Sequence, residues 1–118
     1  RFSCDRSLAD RFEEVSGNLT NAFDRVFTSY EKNYVIDHII VNNGSVIGYA
    51  GKHGKKAISE SDFAKHIHTY LSAEGYKDIT IKIFSDPEKY IERIGSIKDL
   101  PAKGNEEKIM RVLLSISL

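Results

Sequence analysis

The stretch from residue 34 to residue 50 decides the fold of this chain. It reads YVIDHIIVNNGSVIGYA, two runs rich in β-branched residues on either side of Asn42-Asn43-Gly44. Asparagine and glycine tolerate the positive φ angles of a tight hairpin turn, and β-branched residues favour extended backbone. The stretch therefore predicts a β-hairpin with strands over residues 34–41 and 46–50.

The first strand of this hairpin is apolar on both faces. Alternation puts Tyr34, Ile36 and Ile40 on one face and Val35, Ile39 and Val41 on the other. A strand of this kind needs either helices on both faces of its sheet or a second chain over one face. The sequence leaves both explanations open, and the second predicts self-association or a partner protein.

Upstream of the hairpin, apolar residues recur at spacings of three or four. They are Leu8, Phe12, Val15, Leu19, Ala22, Val26 and Tyr30. This spacing keeps one stripe on one side of a helix and predicts a long N-terminal helix, weakened in its middle by Gly17 and Asn18. With the hairpin, the stripe supplies the candidate interface residues, which are Leu8, Phe12, Val15, Leu19, Val26, Tyr34 and Ile36.

Three further segments and a final run complete the predicted order. Ser59 and Asp62 are typical of a helix start, and Gly75 is typical of a helix end. Residues 78–84 alternate between apolar and polar side chains and are predicted to be a strand. Asp86-Pro87 then predicts the start of a second short helix. Residues 108–118 also alternate and are predicted to be a strand. The order α-β-β-α-β-α-β predicts an α+β fold, with a long N-terminal helix and two shorter helices packed on a four-stranded mixed or antiparallel sheet.

Length and composition bound the domain organisation. The chain has 118 residues, 17 basic and 17 acidic side chains and 41% hydrophobic residues, which predicts one domain over residues 1–118, loose at 1–6 and 102–107. Balanced charge disfavours a nucleic-acid partner, and no apolar run reaches the roughly 18 residues of a membrane span. The chain begins with Arg1 rather than Met, which favours a piece of a longer or membrane-anchored protein, with a periplasmic location one option.

The segment Gly51-Lys52-His53-Gly54-Lys55-Lys56 concentrates three lysines and a histidine in six residues. Its glycines expose backbone N–H groups and its lysines act as point charges, a combination that suits a phosphate. A metal-free ribonuclease needs a general base and cations for the developing charge, which His53 with Lys52, Lys55 and Lys56 can provide. The alternative is a solvated loop that lysines keep soluble.

Asp37 and His38 interrupt the apolar strand. Adjacent strand residues point to opposite faces, so one of the two is expected to be partly buried. A histidine so placed that gains its charge between about pH 7 and pH 5 would loosen whatever it packs against, which makes the pair a candidate pH sensor. A neutral histidine bonded to a backbone carbonyl is the alternative interpretation.

Neither a metal nor a cofactor is predicted. His66 and His68 are two residues apart on a predicted helix, which directs them about 200° apart. The sequence contains one cysteine, Cys4, and has neither a His-Glu-x-x-His motif nor a carboxylate-rich calcium loop.

The order of elements resembles that of small sensory domains in membrane-anchored bacterial regulators, although no motif accompanies that likeness. The resemblance implies a regulatory role. Together with the striped helix and the doubly apolar strand, it favours a non-enzymatic interaction or sensory domain that acts through a homodimer or a partner protein. A small ribonuclease or toxin-like domain is the alternative.

Overall fold

The computed structural model describes residues 6–28, 33–51 and 59–117. Within these ranges the elements are α1 (Arg6–Ser16), β1 (Thr20–Thr28), β2 (Asn33–Asn42), β3 (Ser45–Tyr49), α2 (Glu60–Ala73), β4 (Thr80–Phe84), α3 (Pro87–Lys98) and α4 (Glu106–Ser115). The α+β class and the four-stranded mixed sheet are confirmed. Two elements differ from the predicted order, one near each end of the chain.

The sheet has the strand order β1-β2-β3-β4. β1 and β2 are antiparallel, β2 and β3 are antiparallel, and β4 runs parallel to β3 after the crossover through α2. The predicted hairpin is confirmed, because Asn42 lies opposite Ser45 and the turn consists of Asn43 and Gly44 with φ angles of 51° and 72°. These left-handed angles are the reason for an Asn-Gly pair at this position.

The N-terminal helix is shorter than the sequence predicted. α1 ends at Ser16, Gly17 follows with a φ of 53°, and residues 20–28 form β1 along the edge of β2. Spacings of three and four also occur in this segment, but pairing with β2 satisfies its backbone groups and buries Phe27. Tyr30, the last residue of the predicted stripe, lies outside the described residues.

The C-terminal run is a helix, so the prediction of a strand over residues 108–118 was wrong. α4 buries Ile109, Met110 and Leu113, which recur at helical spacing, whereas Leu114 of the predicted apolar face is 38% exposed. The run fits both periods, and Glu106 and Glu107 in the first turn favour the helix through its dipole.

Glu106 joins α4 to the hairpin turn. Its carboxylate accepts hydrogen bonds from the backbone N–H groups of Asn43 at 3.2 Å, Lys103 at 2.7 Å and Gly104 at 2.9 Å. Burial works to raise the pKa of this carboxyl, but the backbone donors outweigh it and the pKa lies below its usual value. The last two residues of the segment 102–107, predicted to be loose, therefore belong to a fixed helix start.

Helices cover both faces of the sheet. α2 and α4 pack on one face around Phe27, Ile36 and Phe63, and we call this the α2–α4 core. α1 and α3 pack on the other face around Phe12 and Tyr90, and we call this the α1–α3 core. Of the two explanations for the doubly apolar strand, helices of the same chain are the one observed.

Three of the seven predicted interface residues lie inside these cores, which corrects their assignment to a surface. Phe12 and Ile36 are fully buried and Tyr34 is 5% exposed. Leu8, Val15 and Leu19 are half-buried against the α1–α3 core, and Val26 is half-buried on β1. A contact between chains requires exposed side chains, and the helices of this chain already occupy the space beside the first three.

Candidate functional site

His38 lies in the middle of the sheet, on β2, where Phe23 of β1 and Tyr49 of β3 are its neighbours. Its imidazole points into the α1–α3 core and stacks on Phe12, with ring centroids 5.4 Å apart. Both residues singled out in this strand are buried, since Asp37 is 1% and His38 0% exposed. The apolar strand therefore carries two buried polar groups side by side.

The alternation of β2 changes at this pair. Ile36 and Ile39 both belong to the α2–α4 core, although strict alternation would put them on opposite faces. On the neighbouring β1, Asp24 has a φ of 52° and lies between Phe23, which pairs with His38, and Arg25, which pairs with Ile36. A residue with positive φ inside a strand twists it locally and re-aims side chains, as a β-bulge does. Single-sequence alternation cannot anticipate this change of face.

Both ring nitrogens of His38 have side-chain partners. Nδ1 is 2.7 Å from the hydroxyl of Tyr90, and Nε2 is 3.1 Å from Oδ1 of Asn21. The Asn21 amide nitrogen donates to the carbonyl of Leu19, so its oxygen is the atom left to accept from histidine. A neutral imidazole that carries its proton on Nε2 satisfies all of these groups, with the Tyr90 hydroxyl donating to Nδ1.

Burial controls the protonation of this pair. It lowers the pKa of His38 to about 4 and raises the pKa of Tyr90 well above its ordinary value. Both groups are therefore neutral in the folded protein around neutral pH. An imidazole sealed from solvent with both nitrogens bonded is a structural group in this arrangement, because no external substrate can reach it.

Asp37 holds the end of β3. Its Oδ2 accepts a hydrogen bond from the backbone N–H of Gly51 at 2.9 Å. A side chain at Gly51 would begin 3.2 Å from that oxygen and 3.4 Å from the Tyr49 hydroxyl, so the close approach favours glycine there. Asp37 thus fixes the point at which the chain leaves the sheet.

The remaining candidate residues of the basic segment lie outside the described residues. They are Lys52, His53, Lys55 and Lys56, and with them the proposed ribonuclease chemistry stays a prediction. His66 and His68 lie on α2, and among the described residues no group of three or more potential metal-binding side chains occurs.

An open, cation-lined groove lies between β4 and α3, where no sequence motif predicted a site, and we call it the β4–α3 groove. It has a volume of about 520 Å³ and is lined by Thr80, Lys82 and Phe84 of β4 and by Lys89, Glu92, Arg93 and Ser96 of α3. Three cations against one carboxylate give the lining a local positive excess on a chain whose net charge is zero. Phe84 contributes an apolar side chain to the lining of the groove.

The signal for this groove was present in the sequence, but in two separate segments. Lys82 and Thr80 share one face of a strand, and Lys89, Arg93 and Ser96 follow at spacings of four and three on a helix. Each of these two faces, considered alone, has the polar pattern of an ordinary solvent-exposed surface. Only the packing of α3 beside β4 brings the two together.

The groove runs beside one edge of the sheet. β4 is the last strand in the sheet order, and within the described residues no strand pairs with its outer side. The N–H of Ile83 on this outer side donates to Oε2 of Glu60 at 2.7 Å, and Oε1 of Glu60 lies 3.8 Å from Nζ of Lys82. A carboxylate from the start of α2 therefore occupies a backbone donor of the open edge.

Comparisons with protein-family models, with curated proteins and with solved structures found no match to this chain. In the described ranges, none of the helices has the length and apolar content to span a bilayer.

Proposed function

We propose that this domain is a non-enzymatic regulatory module that binds an acidic segment of a partner protein in the β4–α3 groove. The observation that carries the proposal is the convergence of Lys82, Lys89 and Arg93 on one open groove beside a sheet edge. Charges arranged in this way attract a complementary partner and select against the wrong one.

A peptide fits this groove better than a nucleic acid does. Glu92 stands among the cations, where it would repel a continuous row of phosphates but can pair with a basic residue of a peptide. The adjoining edge of β4 offers backbone groups that only another polypeptide can pair with as a strand. The balanced charge of the whole chain also disfavours a polyanion such as RNA.

A partner protein suits the geometry better than a homodimer built on the sheet. Self-association through the predicted interface would require Phe12, Tyr34 and Ile36 to leave cores in which they are buried. The side chains that line the groove are instead charged and mostly exposed, as expected for a transient regulatory contact.

We expect the parent protein to bind, in the β4–α3 groove, a short fluorescent peptide in which Asp or Glu alternates with Val or Thr. We expect the doubly reversed variant Lys89→Glu with Arg93→Glu to bind it about tenfold more weakly or worse, because attraction becomes repulsion at two positions. Fluorescence anisotropy at low and high salt measures the affinity. Added salt should weaken binding to the parent.

The matched control reverses Lys65 and Lys108, which are exposed on α2 and α4 and lie away from the groove. This variant has the same net charge as the groove variant and should bind like the parent. Equal losses in both variants, or equal affinity for a peptide with Asn and Gln in place of the acids, would contradict the proposal. Groove-dependent binding of an RNA oligonucleotide without binding of the peptide would replace it with a nucleic-acid function.

A further inference from the structure

Resting on the proposed function, we infer that the acidic segment is added to the sheet as a fifth strand along the outer edge of β4, and that Glu60 is the carboxylate it displaces. The side chains of the groove and the backbone of the edge then bind the same segment. Glu60 becomes an internal competitor that sets how readily the edge opens.

Within the described parts of the chain, no strand occupies the outer side of the β4 backbone. Thr80 donates to the carbonyl of Gly44, and the carbonyl of Phe84 accepts from Ala50, so both residues direct their main-chain groups toward β3. Main-chain groups alternate in direction along a strand, and Ile81 and Ile83 therefore direct theirs outward. A segment alongside β4 over its five residues, about 16 Å, meets these groups in register.

The contacts of Glu60 show that a carboxylate binds at the outer edge of β4. Its carboxylate takes the Ile83 N–H at 2.7 Å and lies beside Lys82, so one acidic side chain already uses both a backbone donor and a groove cation. The ion pair is 3.8 Å long, and both of its side chains are substantially exposed. Such a pair contributes little to stability and can be exchanged for an incoming strand.

The side chains of β4 fix the character of the added strand. Ile81 and Ile83 pack toward the α2–α4 core, whereas Thr80, Lys82 and Phe84 line the groove. Residues directly across from one another in neighbouring strands interact, and opposite charges are favourable there. Acidic residues at alternate positions of the segment would thus lie beside Lys82 and under Lys89 and Arg93.

The decisive experiment uses two N-methylated forms of the acidic peptide with the parent and with Glu60→Ala. Each form carries methyl groups on alternate backbone nitrogens, in one register or in the other. An added strand turns only one set of N–H groups toward β4, so one form should lose binding by about tenfold or more and the other should bind like the unmodified peptide. Amide exchange measured by NMR should show new protection at Ile81 on binding.

The variant Glu60→Ala should bind the unmodified peptide more tightly than Glu92→Ala does. Both changes remove one negative charge near the groove, but only the first also frees the Ile83 N–H. Equal gains in the two variants would reduce Glu60 to a background charge and overturn its role as competitor.

The outcomes separate this inference from the proposed function. If both methylated forms bind, or both fail, while the groove variant still weakens the unmodified peptide, the added strand is wrong and the groove stands. If neither the parent nor Glu60→Ala binds any acidic peptide, both proposals fall. Loss of one register alone, with protection of Ile81, supports the fifth strand.

Discussion

Lowering the pH from 7 to 4 should reduce the free energy of unfolding by about 3 kcal/mol through His38 alone. In the folded protein burial holds the pKa of this imidazole at about 4, against an ordinary value of 6.5. Each pKa unit of difference between folded and unfolded states corresponds to roughly 1.4 kcal/mol. Nδ1 also loses its acceptor role when the second proton arrives, since it accepts from the Tyr90 hydroxyl only in the neutral form.

Acid lowers the free energy of unfolding because the unfolded chain binds a proton at His38 more readily than the folded protein does. Between pH 6.5 and pH 4 the unfolded chain protonates His38 and the folded chain does not, so acid favours unfolding. The stabilisation is complete above pH 6.5 and is lost as the pH falls to about 4. In the folded protein His38 stays neutral over most of the range from pH 7 to pH 5. A response of the domain to pH in this range would therefore be a lower free energy of unfolding, and the native state would not carry a charged imidazole.

Urea unfolding of the parent and of His38→Gln at several pH values tests this expectation. The difference between the two free energies should shrink as the pH falls from 7 toward 4.5, because only the parent has the titrating group. The variant Thr69→Ala, at an exposed position of α2, keeps His38 and should show the pH dependence of the parent. A difference between parent and His38→Gln that stays constant with pH would show that His38 is not the buried neutral group described.

Acid sensitivity at still lower pH has a separate source. Glu106 and Glu88 have lowered carboxyl pKa values, Glu106 through backbone donors that outweigh its burial and Glu88 through its hydrogen bond with Arg11. Stability that such carboxylates contribute is present above their unfolded pKa and is lost only as the pH falls below about 4.3. Among the described groups with shifted pKa values, His38 is therefore the one that acts between pH 6.5 and pH 4.5.

Local signals predicted those elements whose sequence specifies both an end and a period. Asn43-Gly44 requires a hairpin turn, Ser59 accepts the hydrogen bond of a helix start from Asp62, and Asp86 does the same for α3 with Pro87 in its first turn. In each case a side chain satisfies backbone groups that the helix or turn leaves free. Tertiary contacts are not needed for such signals to act.

Where an apolar pattern fits both the helix and the strand period, contacts with the rest of the molecule determine which of the two structures forms. Residues 20–28 continue a helical spacing but are paired with β2, and residues 108–115 alternate like a strand but are helical. The same limit applies to the site. His38 was identified from one strand, yet its partners Asn21 and Tyr90 lie 17 and 52 residues away in the chain. The β4–α3 groove likewise exists only after two elements pack together.

Replacing Phe12 with alanine should destabilise the domain by about 3–5 kcal/mol, because a fully buried aromatic ring is removed and a cavity is left. The ring stacks on His38 and has its centroid 5.1 Å from Tyr49 and 5.0 Å from Tyr90, so one side chain joins α1, the sheet and α3. A loss of this size is a large fraction of the 5–15 kcal/mol that holds a typical domain folded.

The matched control is Glu14→Ala on the exposed side of α1, which should change stability by about 0.5 kcal/mol or less. Urea unfolding gives the free energies, and sedimentation at several concentrations gives the mass in solution. If α1 instead served as the contact between two copies, Phe12→Ala would convert a dimer to a folded monomer with little loss of monomer stability. That result would contradict the burial of Phe12 in its own chain, whereas a monomeric parent with a strongly destabilised variant supports α1 as one of the two helices that cover this face of the sheet.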